Sequence, residues 1–284
     1  MSLEIKNLSY VYSPGTPMER EVLHDISLTL DTGDFIGIIG HTGSGKSTLI
    51  QHFNGLLKPS SGDVLYDGES IYAPGYNRRT LRGNVGLVFQ YPEYQIFETD
   101  VLTDICFGPK NQGFDEETAK ARARHAMKLV GLNESYETRS PFDMSGGQKR
   151  RVAIAGVLAM RPHLLVLDEP AAGLDPRGKR ELLDQISRIH REWNMGIVLV
   201  SHSMEDVANY VNRLIVLSDG RIAFDDTPRE IFRHRSELEA MGLSVPQVTQ
   251  TAYGLRERGW DIPENLITVE ETKEEILKQL QGLY

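Results

Sequence analysis

Short, continuous apolar runs recur along the chain and predict buried parallel strands. The clearest are Phe35–Ile39, Leu164–Leu167 and Ile197–Val200. Each is too short for a buried helix and is followed by polar or turn residues. Two further stretches, Ser145–Met160 and Arg180–Trp193, have the length and pattern of helices. Strands that alternate with helices predict an α/β domain with a mainly parallel sheet.

Hairpin signals accompany this predicted core. Leu3–Tyr12 alternates loosely between apolar and polar residues and is rich in β-forming types, so it is predicted as a strand, as is Ile26–Leu30. The dipeptide Asp67-Gly68 predicts the turn of one hairpin, and Asp219-Gly220 predicts the turn of a second. Antiparallel strand pairs are therefore expected beside the parallel sheet.

Residues 226–284 differ in character from the rest and predict a small helical appendage. Thr268 and Glu271 can form a capping box at the start of its last helix. That helix places four apolar side chains on one face, namely Val269, Ile276, Leu280 and Leu283. The predicted helices of this tail are Glu237–Gly242, Pro246–Arg258 and Val269–Leu283.

Composition and charge narrow the class of protein. The 31 basic and 40 acidic side chains give a net charge of −9, which argues against a protein whose main task is binding nucleic acid. Cys106 is the one cysteine, so a disulfide framework is excluded and a reducing compartment is indicated. No signal-peptide core is present, nor any apolar stretch of about 20 residues that could span a bilayer. We therefore expect a soluble, cytosolic chain that reaches a membrane only through a partner.

The residues after the strand Phe35–Ile39 match the phosphate-binding pattern G-x-x-x-x-G-K-[ST], and a helix is predicted directly after them. The glycines let several backbone N–H groups point at one spot, where they form a nest for phosphate oxygens. Lys46 would then reach the β- and γ-phosphates, and the Ser47 hydroxyl would ligate Mg²⁺. The competing interpretation is a glycine-rich turn with a structural lysine.

A second candidate site lies at the end of the strand Leu164–Leu167. Asp168 follows this strand directly, where its carboxylate could hold the Mg²⁺ shell of a phosphate site. Glu169 comes next and could polarise an attacking water as a general base. An apolar run that ends in Asp-Glu is a weak signal alone, and a strand end that meets a polar loop is its alternative.

The segment Ser145–Gln148 has two interpretations. Ser145 and Gln148 fit a capping box, which would merely start a helix. Two glycines in a first helical turn cost about 1 kcal/mol each relative to alanine, however, and they suit a place where the backbone approaches a ligand. A helix N-terminus with bare amides is a second anion site. Two phosphate-binding surfaces on one chain are explained if they bind opposite sides of two nucleotides shared by a dimer.

Taken in order, these motifs resemble those of the ATP-binding cassette (ABC) ATPases, the motor subunits of ABC transporters. Gly40–Ser47 is similar to the Walker A motif of that family, and Leu164–Asp168 to its Walker B motif. The signature LSGGQ is matched from Met144 to Gln148 with methionine for leucine, a near-isosteric change. By the same resemblance, Gln90 corresponds to the glutamine of the Q-loop, Asp175 to the aspartate of the D-loop and His202 to the switch histidine. Tyr12 corresponds to the aromatic residue that stacks on adenine, with Tyr10 as the alternative.

The resemblance implies a role for each of these positions. ATP would be bound by Tyr12, Gly40, His41, Thr42, Gly43, Ser44, Gly45, Lys46, Ser47 and Thr48. Mg²⁺ would be held by Ser47, Gln90 and Asp168, and catalysis would depend on Glu169, His202 and Gln90. The sister subunit's nucleotide would be contacted by Ser145, Gly146, Gly147, Gln148 and Asp175.

The resemblance also implies the domain organisation. Residues 1–225 would form a P-loop NTPase cassette with an antiparallel β subdomain and, at about residues 92–160, a helical subdomain. Residues 226–284 would form the tail, which helps to hold two ATPases together through the apolar face of its last helix. The alternative for this face is packing on the chain's own cassette.

Three segments are similar to one group within the family, the energy-coupling factor (ECF) importers of vitamins and transition-metal ions. They are Tyr91–Phe97, Asp104–Pro109 and Met241–Pro246. Within the first two, Glu93–Phe97 and Cys106–Pro109 look more like the second of the two ATPase paralogues. The resemblance implies a heterodimer with a homologous ATPase, a membrane coupling protein and a substrate-capture protein, with no nucleic acid partner. It places the chain at the cytoplasmic face of the cell membrane. Pro92–Pro109 follows Gln90, so we expect it to contact the coupling protein.

Other cassette proteins would need different sequences. A DNA-repair machine of the SMC type carries a long coiled coil before the signature, but only 105 positions separate Gly40 from Ser145. Translation-associated proteins carry two cassettes, and sugar-importer ATPases carry a larger regulatory tail. The ATPase of another ABC transporter is the nearest alternative.

Overall fold

The structure is a computed structural model that describes residues 1–281. The chain divides into two compact units. The first unit comprises Met1–Asp34 and Ser47–Val198, and the second comprises Phe35–Lys46 and Leu199–Tyr284. The boundary expected near residue 225 stays a prediction, and each unit is described by itself below.

Strands and helices alternate along most of the chain, and helices fill its last part. The strands are β1 (Ser2–Tyr12), β2 (Arg20–Asp31), β3 (Phe35–Ile39), β4 (Ser61–Tyr66), β5 (Glu69–Ser70), β6 (Val85–Val88), β7 (Leu164–Asp168), β8 (Gly196–Val200), β9 (Arg213–Ser218) and β10 (Arg221–Asp226). The helices are α1 (Lys46–Phe53), α2 (Arg78–Asn84), α3 (Val101–Asn111), α4 (Glu116–Leu129), α5 (Gly146–Leu158), α6 (Pro176–Trp193), α7 (Met204–Tyr210), α8 (Pro228–Ile231), α9 (Arg235–Ala240), α10 (Gln247–Arg256) and α11 (Val269–Gln281).

The first unit contains an antiparallel sheet with the strand order β2-β1-β4-β5. Leu3 lies at its centre, opposite Leu30 on one side and Tyr66 on the other, and is fully buried. Strand β2 begins at Arg20, six residues before the predicted start at Ile26. Four of the six extra residues are polar and the apolar Val22 and Leu23 are adjacent, so no alternating pattern marks them, and pairing with β1 is what makes them a strand.

The first unit also contains β6, β7 and the part of β8 up to Val198, in the order β8-β7-β6. Strands β6 and β7 run parallel, from the pair Val85 and Leu164 to the pair Val88 and Leu167, and every residue of both is buried. The predicted strand at Leu164–Leu167 is therefore confirmed. Strand β6 is short and contains Gly86, where a Cβ would collide with Val157 of α5.

Helices α3, α4 and α5 of the first unit pack against one another. Their starts are fixed locally, because Asp100, Asp115 and Ser145 each cap a helix by accepting a backbone N–H. Ala119, Ala123 and Ala126 form the buried stripe of α4, and their small side chains allow the neighbouring helices to approach closely.

The second unit contains β3 and β9 as a parallel pair and β10 antiparallel to β9, which gives the order β10-β9-β3. This arrangement and that of the first unit confirm the predicted α/β class. In the described residues 1–281, no helix has both the length and the apolar character that crossing a membrane requires.

The tail of the second unit has a small core of its own. Ala252, Ile262 and Leu266 are buried there, and Leu255, Trp260 and Ile276 pack against them. The Arg229 guanidinium bonds the Glu271 carboxylate and the Asn265 carbonyl, which ties α8 to the start of α11. Of the predicted apolar face of α11, Ile276 faces this core, while Val269 and Leu280 are exposed. Leu283 lies outside the described residues.

Candidate functional site

The predicted phosphate-binding loop joins β3 to α1 and is closed by its own lysine. Lys46 is buried, and its Nζ donates hydrogen bonds to the carbonyls of Gly40 at 2.7 Å and His41 at 3.0 Å. Gly43 and Gly45 have φ values of 86° and 103°, which side-chain-bearing residues rarely adopt. The lysine charge therefore lies within the curl of the loop, where bound phosphate oxygens would need it.

A turn of the second unit supports this loop. Gly220, between β9 and β10, donates its backbone N–H to the Ser44 carbonyl at 3.2 Å. The neighbouring Asp219 carboxylate lies 3.5 Å from Nε2 of His41, and Nδ1 of His41 lies 3.0 Å from the Thr42 carbonyl. The sequence predicts Asp219-Gly220 only as a hairpin turn, because nothing local indicates that it would contact a loop so distant along the chain.

His202 follows β8 in the second unit and is exposed. The residue before it, Ser201, donates its backbone N–H to the Ile38 carbonyl at 3.3 Å. Ile38 lies just before the phosphate-binding loop and Ser201 just before His202, so the loop and His202 both follow chain segments that are hydrogen-bonded to each other. Residues that share a ligand are expected to be placed in this way.

In the first unit, Gln90 follows the end of β6 and Asp168 is the last residue of the adjacent parallel strand β7. Val88 of β6 pairs with Leu167 of β7, so the residues after them emerge at the same edge of the sheet. Asp168 is buried, and Glu169 adopts a left-handed conformation with φ of 50°. The chain turns there, since Ala172 donates its N–H to the Glu169 carbonyl at 3.1 Å. The two carboxylates are thus separated by a sharp change of backbone direction.

Tyr12 and Thr48 meet within the first unit. The Tyr12 hydroxyl lies 3.2 Å from Oγ1 of Thr48, and the Tyr12 side chain is 38% exposed. Tyr10 packs edge-on against Tyr12, with ring centroids 4.8 Å apart, and against His52 at 4.9 Å. Tyr10 is thus enclosed between two rings, whereas Tyr12 presents an accessible ring. This geometry favours Tyr12 as the aromatic for a nucleotide base, and that role stays a prediction.

His52, which supports this pair of tyrosines, is a buried and neutral histidine. Its Nδ1 donates a hydrogen bond to the Thr48 carbonyl at 2.8 Å, and Nε2 has no hydrogen-bond partner within residues 1–281. Burial lowers the pKa of His52 from 6.5 to about 4, because the charged form would lose its hydration. Protonation of His52 at low pH should therefore lower the free energy of unfolding.

We expect the buried, neutral His52 to make the free energy of unfolding depend on pH. Between pH 6.5 and about 4 the unfolded state binds a proton at His52 that the folded state does not, so the free energy of unfolding falls as the pH is lowered. Urea unfolding at pH 7 and pH 4.5 should show a loss about 2 kcal/mol larger for the unaltered chain than for His52→Gln. An equal loss in both chains would contradict this assignment.

The segment Ser145–Gln148 forms the predicted capping box at the start of α5. Ser145 Oγ accepts the Gln148 N–H at 3.4 Å, and Gln148 Oε1 accepts the Ser145 N–H at 3.0 Å. Gly147 lies against Leu174, and Asp175 caps α6 by accepting N–H bonds of 3.0 and 2.9 Å, which lower the pKa of its carboxyl group. A small cleft of about 200 Å³ includes Ser145, Gly147, Gln148, Leu174 and Asp175 among its lining residues. The structure thus brings the predicted signature and D-loop residues together.

Two buried polar residues of the first unit were not identified from the sequence. Asp104 is buried and accepts the N–H groups of Phe97 and Glu98, at 3.0 and 3.2 Å, and burial raises the pKa of its carboxyl group. Arg150 is buried on α5, and its guanidinium reaches Glu93 and the Ala172 carbonyl. The apolar residues around Asp104 in the sequence were an available signal of its burial, whereas Arg150 resembles any basic residue on the exposed side of a helix.

The segment Pro92–Pro109 borders a cavity of about 520 Å³ in the first unit. Phe97 and Phe107 lie in its wall with their rings packed edge-on, 4.8 Å apart, and both are about half exposed. Arg79 and Arg82 of α2 also line the cavity, together with Asp104. Exposed aromatic and arginine side chains of this kind are typical of protein interfaces.

A family model described as ABC transporter matches residues 23–172. An energy-coupling factor transporter ATP-binding protein, EcfA2 of Caldanaerobacter subterraneus subsp. tengcongensis, is 52% identical over 282 residues and matches over 99% of both chains. The chain belongs to the ABC transporter family.

Further similar sequences and solved structures support this family assignment. EcfA2 of Clostridium tetani is 52% identical over 279 residues, which cover 98% of this chain and 97% of the relative. Among solved structures, cbiO1 of Clostridium perfringens, part of the ABC transporter complex cbiONQ, superposes with a TM-score of 0.74 at 35% identity, covering 89% of this chain and 98% of that one. The dimeric ATP-binding cassette MJ0796 with bound ADP and phosphate gives 0.71 at 26% identity, covering 80% and 98%.

These relatives confirm the resemblance, the ABC ATPase fold and the energy-coupling factor group predicted from sequence. ATP hydrolysis is the activity of such a cassette, for which Mg²⁺ is generally needed. The roles of single residues stay predictions.

Proposed function

We propose that the chain binds and hydrolyses ATP as one of two ATPases of an energy-coupling factor importer, and so drives the uptake of a vitamin or a transition-metal ion. The observation that carries this proposal is the 52% identity to ECF ATP-binding proteins over 99% of the chain, which includes the tail as well as the cassette. The substrate itself would be selected by another polypeptide.

In the proposed site, the phosphate chain of ATP lies against the loop from Gly40 to Thr48. The backbone N–H groups of the loop, the N-terminus of α1 and the Lys46 ammonium group supply positive charge in a chain whose net charge is −9. Tyr12 offers its exposed ring to the adenine base. The binding energy is thus local and does not depend on overall charge.

The residues proposed for Mg²⁺ fit that ion by the chemistry of their donors. Ser47 offers a hydroxyl, Gln90 an amide oxygen and Asp168 a buried carboxylate, all hard oxygen ligands. Residues 1–281 contain no group of three or more His, Cys, Asp or Glu side chains arranged for a metal. A single carboxylate suits Mg²⁺, which is usually held by one or two carboxylates together with substrate phosphates and water. Bound there, the ion would neutralise charge that develops on the phosphates.

The proposed chemistry uses Glu169 as the base that orients and deprotonates the attacking water, while His202 and Gln90 act at the γ-phosphate. Glu169 follows Asp168 after the change of backbone direction at φ of 50°, so one strand end can supply a metal ligand and a base for different tasks. Positioning and electrostatic stabilisation account for most of the catalysis in such reactions.

A second ATPase would complete each site. Ser145, Gly146, Gly147, Gln148 and Asp175 are proposed to contact the nucleotide held by the sister subunit. The backbone N–H groups of Gly146 and Gly147 at the start of α5 can donate hydrogen bonds to phosphate oxygens. The exposed Val269 and Leu280 of α11 are proposed to add to this contact. Hydrolysis would then wait until the two subunits close.

The cavity bordered by Pro92–Pro109 is the proposed docking place of the membrane coupling protein. Exposed aromatic rings at Tyr94, Phe97 and Phe107 provide apolar contact area, and the segment begins two residues after Gln90. The chain would thus work at the cytoplasmic face of the membrane, with the coupling and substrate-capture proteins in the bilayer.

Co-expression with the multi-span coupling protein and a second ATPase tests this proposal. We expect one complex, in which a photo-crosslinker at Tyr94 reaches the coupling protein and one at Leu280 reaches the second ATPase. Recovery of the chain without these two partners would favour the ATPase of another ABC transporter. Crosslinks from Tyr94 that reach only the second ATPase would contradict the docking assignment.

A further inference from the structure

Arg150 holds a position that the proposed chemistry does not use. It lies three residues after Gly147, on the same face of α5, and is 4% exposed. Its Nη1 donates a hydrogen bond of 2.5 Å to the Ala172 carbonyl, and Nη2 lies 3.5 Å from Oε2 of Glu93. One buried guanidinium therefore touches two segments that are distant along the chain.

The first of these segments carries the proposed base. The Ala172 N–H bonds the Glu169 carbonyl, which closes the turn that begins with the left-handed Glu169. The Ala172 carbonyl accepts the bond from Arg150. Three residues further on, Asp175 starts α6 as its N-cap. Arg150 thus fixes the middle of the loop between the proposed base and the proposed dimer contact.

The second segment faces the proposed coupling protein. Glu93 lies in the short 3₁₀ turn Pro92–Gln95, which begins two residues after Gln90. Tyr91 between them has φ of 57°, a left-handed conformation that is uncommon for a residue with a side chain. A backbone held in this conformation at the entrance of the turn needs support from its surroundings. The ion pair of Glu93 with Arg150 supplies such support.

The two contacts of the guanidinium depend on each other. A buried charge needs its partner, and removal of one member of the pair leaves the other uncompensated. The guanidinium is planar and rigid, so its two nitrogens cannot follow separate movements of Glu93 and Ala172. Its Nε atom has no hydrogen-bond partner within residues 1–281, so no third described group holds that atom in place.

We propose that Arg150 is a positioning residue that couples the loop after Glu169 to the turn Pro92–Gln95. A shift of either segment displaces the guanidinium and thereby the other segment. ATP hydrolysis and the membrane partner then affect each other through one side chain. This inference rests on the proposed function, because it uses the assignments of Glu169 as base and of Pro92–Pro109 as docking segment.

The next residue of α5 provides a matched control. Arg151 Nη1 donates to the Val130 carbonyl at 2.7 Å, and Nη2 lies 3.5 Å from Oε2 of Glu181. This pair has the same composition and the same 3.5 Å separation as Arg150 with Glu93, and it joins α5 to α6 and to the end of α4. It is more exposed, and Glu181 also accepts a hydrogen bond from Arg177 at 2.9 Å. Glu93→Gln and Glu181→Gln therefore each remove one carboxylate charge that faces an arginine of α5, and only Glu93 lies in the proposed docking segment.

The test uses the full importer complex in vesicles and measures substrate taken up per ATP hydrolysed. Glu93→Gln should lower this ratio about fivefold, a typical size for loss of coupling between sites. Glu181→Gln should leave the ratio unchanged, and Glu93→Asp, which keeps the charge, should recover part of it. An unchanged ratio in Glu93→Gln, or an equal fall in Glu181→Gln, would overturn the inference. No ATP-driven uptake by the unaltered complex would instead overturn the proposed function.

Hydrogen exchange of the isolated full chain tests the same link without transport. Addition of ATP and Mg²⁺ should slow exchange in the turn Pro92–Gln95 of the unaltered chain. Glu93→Gln should abolish this response, while the response of the loop from Gly40 to Thr48 remains. An equal response of the turn in both chains, or none in the unaltered chain, would count against the role of Arg150.

Discussion

Glu169→Gln should lower the rate of ATP hydrolysis by at least about a hundredfold and leave ATP affinity nearly unchanged. A general base contributes about 10² to 10⁴ in rate, and glutamine keeps the size and polarity of glutamate but cannot take up the proton of the attacking water. The left-handed turn at Glu169 depends on the backbone, so the substitution should not disturb it. Phosphate release by the assembled complex and nucleotide binding by the purified chain measure the two quantities.

A suitable control for this change is Glu192→Gln, which removes the same charge from an exposed position near the end of α6. It should leave both quantities as they are. Hydrolysis at the normal rate by Glu169→Gln would refute the role of Glu169 as general base.

Lys46→Ala should weaken ATP binding by roughly tenfold to a hundredfold. The ammonium group is buried in the curl of the phosphate-binding loop, and hydrogen bonds to charged groups contribute about 1.5–3 kcal/mol each. Alanine removes this charge and the two bonds to the carbonyls of Gly40 and His41. Equilibrium binding of a fluorescent ATP analogue measures the effect.

The lysine also supports its own loop, so the stability of the variant has to be measured beside its affinity. Lys58→Ala provides the comparison, because Lys58 is exposed and lies outside the loop. Full ATP affinity in a folded Lys46→Ala chain would mean that the loop does not bind phosphate in the way proposed.

Features that depend on a few consecutive residues could be predicted from the sequence. The strand β3, the loop from Gly40 and the helix after it are all specified locally, by an apolar run, by glycines with positive φ and by a lysine that folds back. The same holds for the capping box at Ser145, where both members lie within four residues. The α/β class follows from the same local patterns.

Features that depend on distant contacts could not be predicted in this way. The sequence does not predict strand β6, because four residues that include a glycine form too short a hydrophobic pattern. Its pairing with β7 is what makes it a strand. The choice between Tyr10 and Tyr12 depends on which ring is enclosed, and His52, about 40 positions away, decides that. Arg150 acquires its partners only in the folded chain. Each of these features is determined by tertiary packing.

The capping box at Ser145 has a consequence for the speed of the proposed pairing. Both of its hydrogen bonds are made within a single chain, so the signature turn is already ordered before a partner arrives. The conformational entropy of that turn is therefore lost during folding and not during association. Two such subunits could separate and rejoin in every catalytic cycle with a preorganised contact surface, and neither would have to fold that surface anew.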